Sequence, residues 1–563
     1  MSRPASGADL LVAALAEGGV STVFGLPGTQ TVPLFESLRR SRLRTVLTTH
    51  ELGAGFMAGG WARSSGEVGV LATIPGPGFT WALTGLAEAR LDSVPLLHLC
   101  GAPPATPGRR FRQQELDQAA IAGPLVKAVL SANKVSEISA LVRLGLHHAV
   151  SGEPGPVLLQ IPAELLSREG SDEAAAVPAE PVVADFAGLR RRVTAARRPV
   201  LFLGQGAGAS AALLTRLAEG LQVPVVTTAA GRGTLPEDHP LAMGFDGLRS
   251  EPAVLNQLFA AADLVLVLGA KLGHNGTCGY GLIIPPDRLV HVDTSPEVLG
   301  ANYPASLALV ADVRLAVEAL LAAPLRGGDW TAAELAQWRQ RLRAPGPRGP
   351  EPSVCGGEPE RFFAALRRAL PRETGLVLDS GLHQILARRY YDVLSPRGLL
   401  LPSDLQSMGF GIPTAIGARL AAPQRPVVVI VGDGGFAMSG LELLTAVREG
   451  LDLVVIVLVD GQLGQIRMQQ LAEYGATHAV QLENPDFSLF AAAIGAGYRN
   501  AGDGIELAVR AALDQGGVTI IEVPVGDTPR LRRAATVART RETARRVVGP
   551  AAIRWLKRLL DRS

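Results

Sequence analysis

The sequence predicts an α/β protein built of three doubly wound, Rossmann-like parallel-sheet domains. Three observations carry that expectation. Apolar runs of strand length, such as residues 427–431 and 453–459, alternate with segments of helical period. Several of those runs end in a glycine-rich turn or an acid just where a helix begins, as at Gly432-Asp433-Gly434. Two stretches rich in Pro, Gly, Ala or acids, 169–181 and 343–358, interrupt the pattern as linkers. With 563 residues, 47% hydrophobic and 19% charged, the chain can bury about three to four domain cores. The boundaries predicted are 1–168, 186–342 and 359–526, followed by a basic tail, 527–563.

In the first domain a short amphipathic helix over 10–18 leads to a strand over 22–24, the turn Gly25-Leu26-Pro27-Gly28 and a helix over 32–39. The next strand, 45–49, ends at His50-Glu51. The helix after it carries Ala54, Gly55, Ala58 and Gly59, small residues that let a neighbour pack closely. Glu51 is either a charge partner for that helix N-terminus or an acid/base at the mouth of the sheet. A strand over 68–74 enters the rigid turn Gly76-Pro77-Gly78, which opens a helix around 81–90. Strands over 95–99 and 157–161 complete the unit, with Phe111-Arg112-Gln113-Gln114-Glu115-Leu116-Asp117 between them.

In the second domain the strand 199–203 runs into Gly204-Gln205-Gly206-Ala207-Gly208-Ala209, close to a dinucleotide fingerprint. The following strand, 223–228, ends in Thr-Thr where a ribose-binding acid is wanted, so a structural domain with a vestigial nucleotide site is expected. Further strands are predicted over 264–269 and 289–293. The third domain has a strand over 375–378 ending at Asp379, then Ser407-Met408-Gly409-Phe410-Gly411 entering a small-residue helix to Leu420. Its centre is 432–466, a strand, glycine turn, helix and second strand. That unit puts Asp433 and Asp460 at the carboxyl ends of neighbouring strands, where they could share one metal ion. Gly434 and Gly435 leave backbone N–H groups open to phosphate oxygens, a setting that suits Mg²⁺ holding a diphosphate. The alternative is an ordinary βαβ turn with two solvated acids. The arginine-rich tail predicts a helix with Ile553, Leu556 and Leu560 on one face, either docked on the body or lying over the site as a lid.

A formal net charge of +2 and no basic stripe in the body give no pull toward nucleic acid or an anionic membrane. Cys100, Cys278 and Cys355 are far apart and lack metal-ligand spacing, so a reducing compartment is expected. Residues 10–16 are apolar without a basic flank, and the longest apolar runs are strand-length. No signal peptide or membrane span is predicted, and the protein is placed in the cytoplasm.

Asp433 and Asp460, the GDG turn before them and the order of the domains resemble the thiamine diphosphate-dependent enzymes. The resemblance is strongest to the acetolactate synthase branch, through residues 227–244, 402–417 and 484–495, while 269–293 is similar to benzaldehyde lyase. It implies a pyrimidine-binding domain, a central domain and a diphosphate-binding domain, and a homodimer or homotetramer with the cofactor between subunits. It implies that Glu51 bonds the pyrimidine N1′, that Met408 supports the bent cofactor, and that Gln114 faces the thiazolium ring. Asp433, Asp460 and the backbone carbonyl of Gln462 are implied as Mg²⁺ ligands. Gly432, Gly434, Gly435 and Gly76 match glycines around the cofactor, and His383 matches a histidine contacting the diphosphate. The implied activity is decarboxylation of a 2-oxo acid with transfer of the acyl-anion equivalent to a carbonyl acceptor. A hydroxy-ketone lyase/ligase and a non-catalytic binding subunit are the alternatives.

The departures from that pattern cluster where substrate would lie. Trp81 replaces an Asn, Gln465 a Met and Gln469 a Trp of the synthases, and Thr29-Gln30 stands where benzaldehyde lyase has Ala-His. They imply a donor or acceptor larger or more polar than pyruvate. The Asp-Asp-Arg sequence that accompanies FAD in several synthases is missing after Leu268-Gly269-Ala270-Lys271-Leu272, which counts against a bound flavin without closing that option.

Overall fold

The computed structural model describes residues 5–103, 111–172, 185–344 and 351–548. Among them the strands form three sheets, one for each predicted domain. The first runs Arg44–Leu47, Thr22–Gly25, Gly69–Thr73, Leu96–Ala102, Pro156–Pro162, Ala128–Ser131, with every pairing parallel. The second runs Leu307–Val310, Leu289–Asp293, Leu264–Leu268, Pro199–Leu203, Val225–Thr227, again parallel. The third runs Ser353–Val354, Val518–Gly526, Leu453–Val459, Val427–Gly432, Gly375–Leu378, Leu399–Leu400, and Gly497–Asn500 also pairs with Val518–Gly526. Burial on both faces explains the nearly unbroken apolar runs of the central strands.

Strand order reverses once in each sheet, and the reversal leaves a crevice at the carboxyl ends of two neighbouring strands. In the first sheet it lies between Thr22–Gly25 and Gly69–Thr73. In the third it lies between Gly375–Leu378 and Val427–Gly432. In the second it lies between Pro199–Leu203 and Leu264–Leu268, but there the two loops close on each other: Gly206 N–H donates to the Gly269 carbonyl at 3.1 Å.

The first and third domains share one hydrophobic core, joined where helix Glu51–Ser65 packs on helix Gly411–Ala421. The approach is backbone to backbone. A Cβ at Gly60 would stand 2.1 Å from the Thr414 carbonyl oxygen, and one at Gly417 only 1.9 Å from that of Met57. The second domain is tied to the third by the buried ion pair of Arg388 with Asp246 at 2.9 Å, beside Arg232, which is paired within the second domain with Glu237 at 2.7 Å. Arg232 also donates to the carbonyls of Arg388 and Tyr391, so few of its donors are left unpaired.

Four expectations need correction. The strand predicted over 45–49 stops at Leu47, and Glu51 is the first residue of the next helix, because the His50 ring caps it by accepting from Leu52 N–H at 3.1 Å. The 343–358 stretch is more than a linker: Ser353–Val354 adds an antiparallel edge strand, so the third sheet is mixed. The helix inside 432–466 is broken into Asp433–Ser439 and Leu443–Arg448 by a 3₁₀ turn. Strand Ala128–Ser131, helix Ile138–Val150 and strand Leu307–Val310 were not anticipated. The tail is helical over Pro529–Val548, while Ile553, Leu556 and Leu560 lie outside the described residues, as does most of the 169–181 linker. No described helix is long and apolar enough to cross a membrane.

Gly417→Ala is therefore a sensitive test of the interdomain contact. Helix propensity alone favours the alanine by about 1 kcal/mol, but a methyl group against a backbone carbonyl cannot be relieved by rotating a side chain. The expected net loss is about 2 kcal/mol in chemical denaturation. Stabilisation would mean that the two helices are not in close contact.

Candidate active site

Two clusters of the predicted residues form, one at the crevice of the third sheet and one at that of the first. In the third, strand Val427–Gly432 gives way directly to helix Asp433–Ser439. Buried Asp433 accepts Gly434 N–H through Oδ1 at 2.9 Å. Its Oδ2 accepts Asp460 N–H at 3.2 Å, Gly461 N–H at 2.7 Å and the Asn484 amide at 2.8 Å. One carboxylate thus gathers three separate segments. Burial, and after it the charge of Asp433, push the Asp460 carboxyl up to about 6. An acid destabilised in this way is relieved by a cation, and the oxygens of the two carboxylates suit Mg²⁺. The Gln462 loop is tied on both sides, Leu463 N–H donating to Val480 and Leu482 N–H to Gly461. Its carbonyl is therefore held on a fixed stretch of backbone beside the acids.

The surroundings fit a diphosphate. His383 is buried and burial lowers its pKa to about 4, so it is neutral, and its Nε2 has no partner among the described residues. A buried ring nitrogen left without a partner is costly unless a ligand meets it. A Cβ at Gly432 would stand 3.2 Å from His383 Nδ1, and one at Gly434 would meet Leu463, Leu482 and, at 3.4 Å, Met408 Cε. Met408 therefore reaches the same crevice. Its loop hangs on Asp379, which accepts Gly409 N–H at 3.1 Å and Gly411 N–H at 3.0 Å. Burial pushes the Asp379 carboxyl up to about 7 against those donors.

In the first domain Glu51 is buried, and its Oε1 lies 2.9 Å from where a Cβ at Gly78 would be. Only glycine leaves room for the carboxylate. Gly76, with φ of 68°, donates its N–H to Gln118 at 3.1 Å, and a Cβ there would meet Gln114 at 2.9 Å. Gln114 Oε1 accepts from Gln30 Nε2 at 2.5 Å, and Thr29 lies exposed beside it. Trp81, 53% exposed, packs its ring 4.6 Å from that of His50. Glu51, Gly76, Gln114, Gln30 and Trp81 are thus brought together. Gln465 and Gln469 lie one turn apart on helix Gly464–Tyr474, on the side of the third domain.

Glu442 accepts Thr49 N–H at 3.2 Å and His50 N–H at 3.0 Å, which ties the Glu51 turn to the 3₁₀ turn that follows helix Asp433–Ser439. Asn484, Asp379, Gln118 and Glu442 were not singled out as site residues from sequence. Each acts through a partner far away in the chain or through a backbone N–H, and no local spacing signals that.

Three family models match the chain. The description "Thiamine pyrophosphate enzyme, N-terminal TPP binding domain" covers residues 5–121, the central domain 187–320, and the C-terminal TPP binding domain 379–523. The chain belongs to the thiamine pyrophosphate enzymes. It is 37% identical to the probable 2-ketoarginine decarboxylase AruI of Pseudomonas aeruginosa, over 91% of this chain and 93% of that protein. It is 33% identical to the acetolactate synthase isozyme 1 large subunit of Escherichia coli, over 83% and 84%. To the probable acetolactate synthase large subunit of Methanocaldococcus jannaschii it is 32% identical, over 87% and 86%.

In this thiamine pyrophosphate enzyme the central domain borders a separate cavity of about 860 Å³, lined among others by Gln205, Lys271, Asp293 and Arg397. Two of its cations are paired, Lys271 with Glu153 at 2.8 Å and Arg63 with Asp92 at 2.8 Å.

If Asp433 and Asp460 hold the metal, Asn484→Ala is expected to weaken Mg²⁺-dependent thiamine diphosphate binding about 10- to 100-fold, the usual cost of losing an outer-shell partner. Asp433→Ala should cost more than that. Cofactor titration with and without a chelator measures both, and unchanged affinity in Asp433→Ala would move the metal elsewhere.

Proposed function

We propose that this enzyme decarboxylates a 2-oxo acid with Mg²⁺-held thiamine diphosphate and passes the acyl-anion equivalent to a carbonyl acceptor. The observation that carries the reading is the pairing of the Asp433–Asp460 crevice, with its unpartnered His383, and the Glu51 carboxylate lying over Gly78. The names of the relatives, a 2-ketoarginine decarboxylase and two acetolactate synthase subunits, support it. When bound, the cofactor supplies the carbon nucleophile and the electron sink. Asp433, Asp460 and the Gln462 carbonyl would hold the metal, and the buried His383 ring, its Nε2 free of a protein partner among the described residues, would lie against the diphosphate. Glu51 shares the proton at the pyrimidine N1′. Met408, which reaches the same crevice, would support the cofactor there, a proximity effect. Gln114 is held by Gln30 and presents its amide toward the reacting carbon.

The resemblance to enzymes whose cofactor lies between subunits supports a second copy completing the site, as a homodimer or homotetramer. The exposed apolar side chains Met438, Leu441 and Leu444 flank Glu442, and Trp81 stacks on His50 beside it, a surface that a second copy would cover. The central cavity does without a flavin in this reading, and the purified protein should lack flavin absorbance.

Trp81 and the Gln30–Gln114 amide pair favour a 2-oxo acid, or an acceptor, larger or more polar than pyruvate. A screen of pyruvate, 2-oxobutyrate, aromatic and guanidino 2-oxo acids, each with aldehyde and 2-oxo acid acceptors, should give CO₂ release and ligated product with the larger members. Fast acetolactate formation from pyruvate alone would refute the specificity. Cleavage of a hydroxy ketone without CO₂ release would instead favour a lyase. Glu51→Gln is expected to lose about 10²- to 10⁴-fold in turnover, the range for a lost acid/base group. Unchanged turnover would remove Glu51 from the acid/base role.

A further inference from the structure

Helix Pro77–Leu91 has one end at the Glu51 cluster and its other end against the diphosphate domain. At that second end sits Glu88, a buried carboxylate that none of the chemistry above uses. Its Oε2 accepts the N–H of Ser407 at 3.2 Å, one residue before Met408. One turn on, Asp92 accepts Ser403 N–H at 3.1 Å and Asp404 N–H at 3.3 Å, and pairs with Arg63 at 2.8 Å. Arg63 in turn lies over the Phe410 ring, 5.4 Å from its centre. From the other side, Asp379 holds Gly409 and Gly411. The loop bearing Met408 is therefore pinned at both ends, and the pins at Ser403, Asp404 and Ser407 come from another domain.

We infer that Glu88 is a positioning residue, which sets Met408 from the pyrimidine-side helix by holding the Ser407 backbone. The inference rests on the reading of Met408 as the side chain that supports the cofactor. Asp92 is balanced by Arg63, whereas Glu88 faces the like charge of Asp92, offset in part by Ser407 and Arg63. Ser407 is the point of the loop through which it acts. Burial and the Asp92 charge push Glu88 up to about 7. A carboxyl raised in this way favours the closed, buried state fully below about 4.5, and that contribution is lost as pH rises through about 7.

Hydrogen exchange of residues 403–410 in the cofactor-free protein reads the loop directly. Glu88→Ala should speed exchange there about tenfold, while Glu88→Gln, which keeps an acceptor oxygen of the same reach, should stay close to wild type. After correction for intrinsic rates, wild-type protection should fall between pH 5 and pH 8, and Glu88→Gln should show no such fall. In the holoenzyme Glu88→Ala should lower kcat with the 2-oxo acid KM little changed. The double variant Glu88→Ala/Met408→Ala should be no slower than Met408→Ala alone, since both changes remove one function. Equal exchange in Glu88→Ala and wild type, or losses that multiply in the double variant, would overturn the role of Glu88 while leaving Met408 intact. Wild-type turnover in Met408→Ala would overturn the reading of Met408 and the inference with it. Should Glu88→Ala fail to fold, the pH dependence of Glu88→Gln decides, and a fall matching wild type would rule the role out.

Discussion

The close approach of helices Glu51–Ser65 and Gly411–Ala421 is the constraint on which the site depends. Each presents a glycine to the other's backbone carbonyl, Gly60 to Thr414 and Gly417 to Met57, so their relative register has little freedom. The N-terminus of the first carries Glu51, and the N-terminus of the second is fed by the Met408 loop. Locking the two helices therefore fixes where both functional residues stand relative to the shared core. Side-chain packing alone would leave more slack, because rotamers can adjust where backbone atoms cannot.

Around that contact, buried carboxylates do the positioning. Glu442 holds the Thr49–His50 backbone, Asp379 holds Gly409 and Gly411, and Asp433 collects four N–H donors. Tight glycine turns leave N–H groups that no helix or strand can satisfy, and a carboxylate has enough lone pairs to take several at once. The cost is desolvation, which shows as upward shifts at Glu442, Asp379 and Asp460. At Asp433 and Asp460 a bound cation would offset that cost. At Glu442 and Asp379 it is offset by hydrogen bonds alone, the Thr445 hydroxyl joining the N–H donors at Glu442, so those turns are rigid at some expense of stability.

What could be read from sequence was local. The βαβ unit from Val427 to Val459 is marked by apolar runs and a glycine turn within some thirty residues, and Asp433 and Asp460 follow from it. Glu51 was placed at the right loop, one helical position out, because a histidine cap carries a weaker signal than Ser, Thr or Asp. The two-residue strand Ser353–Val354 has no periodicity to detect and was hidden in a Pro- and Gly-rich stretch. The Gln30–Gln114 pair joins residues 84 apart, Asn484 meets Asp433 from 51 residues away, and Glu88 reaches Ser407 across 319. Such contacts exist only once the sheets and their crevices have formed.

Trp81 is coupled to the cap of the helix that starts at Glu51. Its ring lies on His50, the residue whose Nδ1 caps the helix that starts with Glu51. A smaller residue at position 81 would remove the ring that lies against His50 and leave the His50–Leu52 bond more open to water, where a hydrogen bond is weaker. Substitutions at Trp81 therefore act on the helix that starts at Glu51 as well as on the surface Trp81 itself presents.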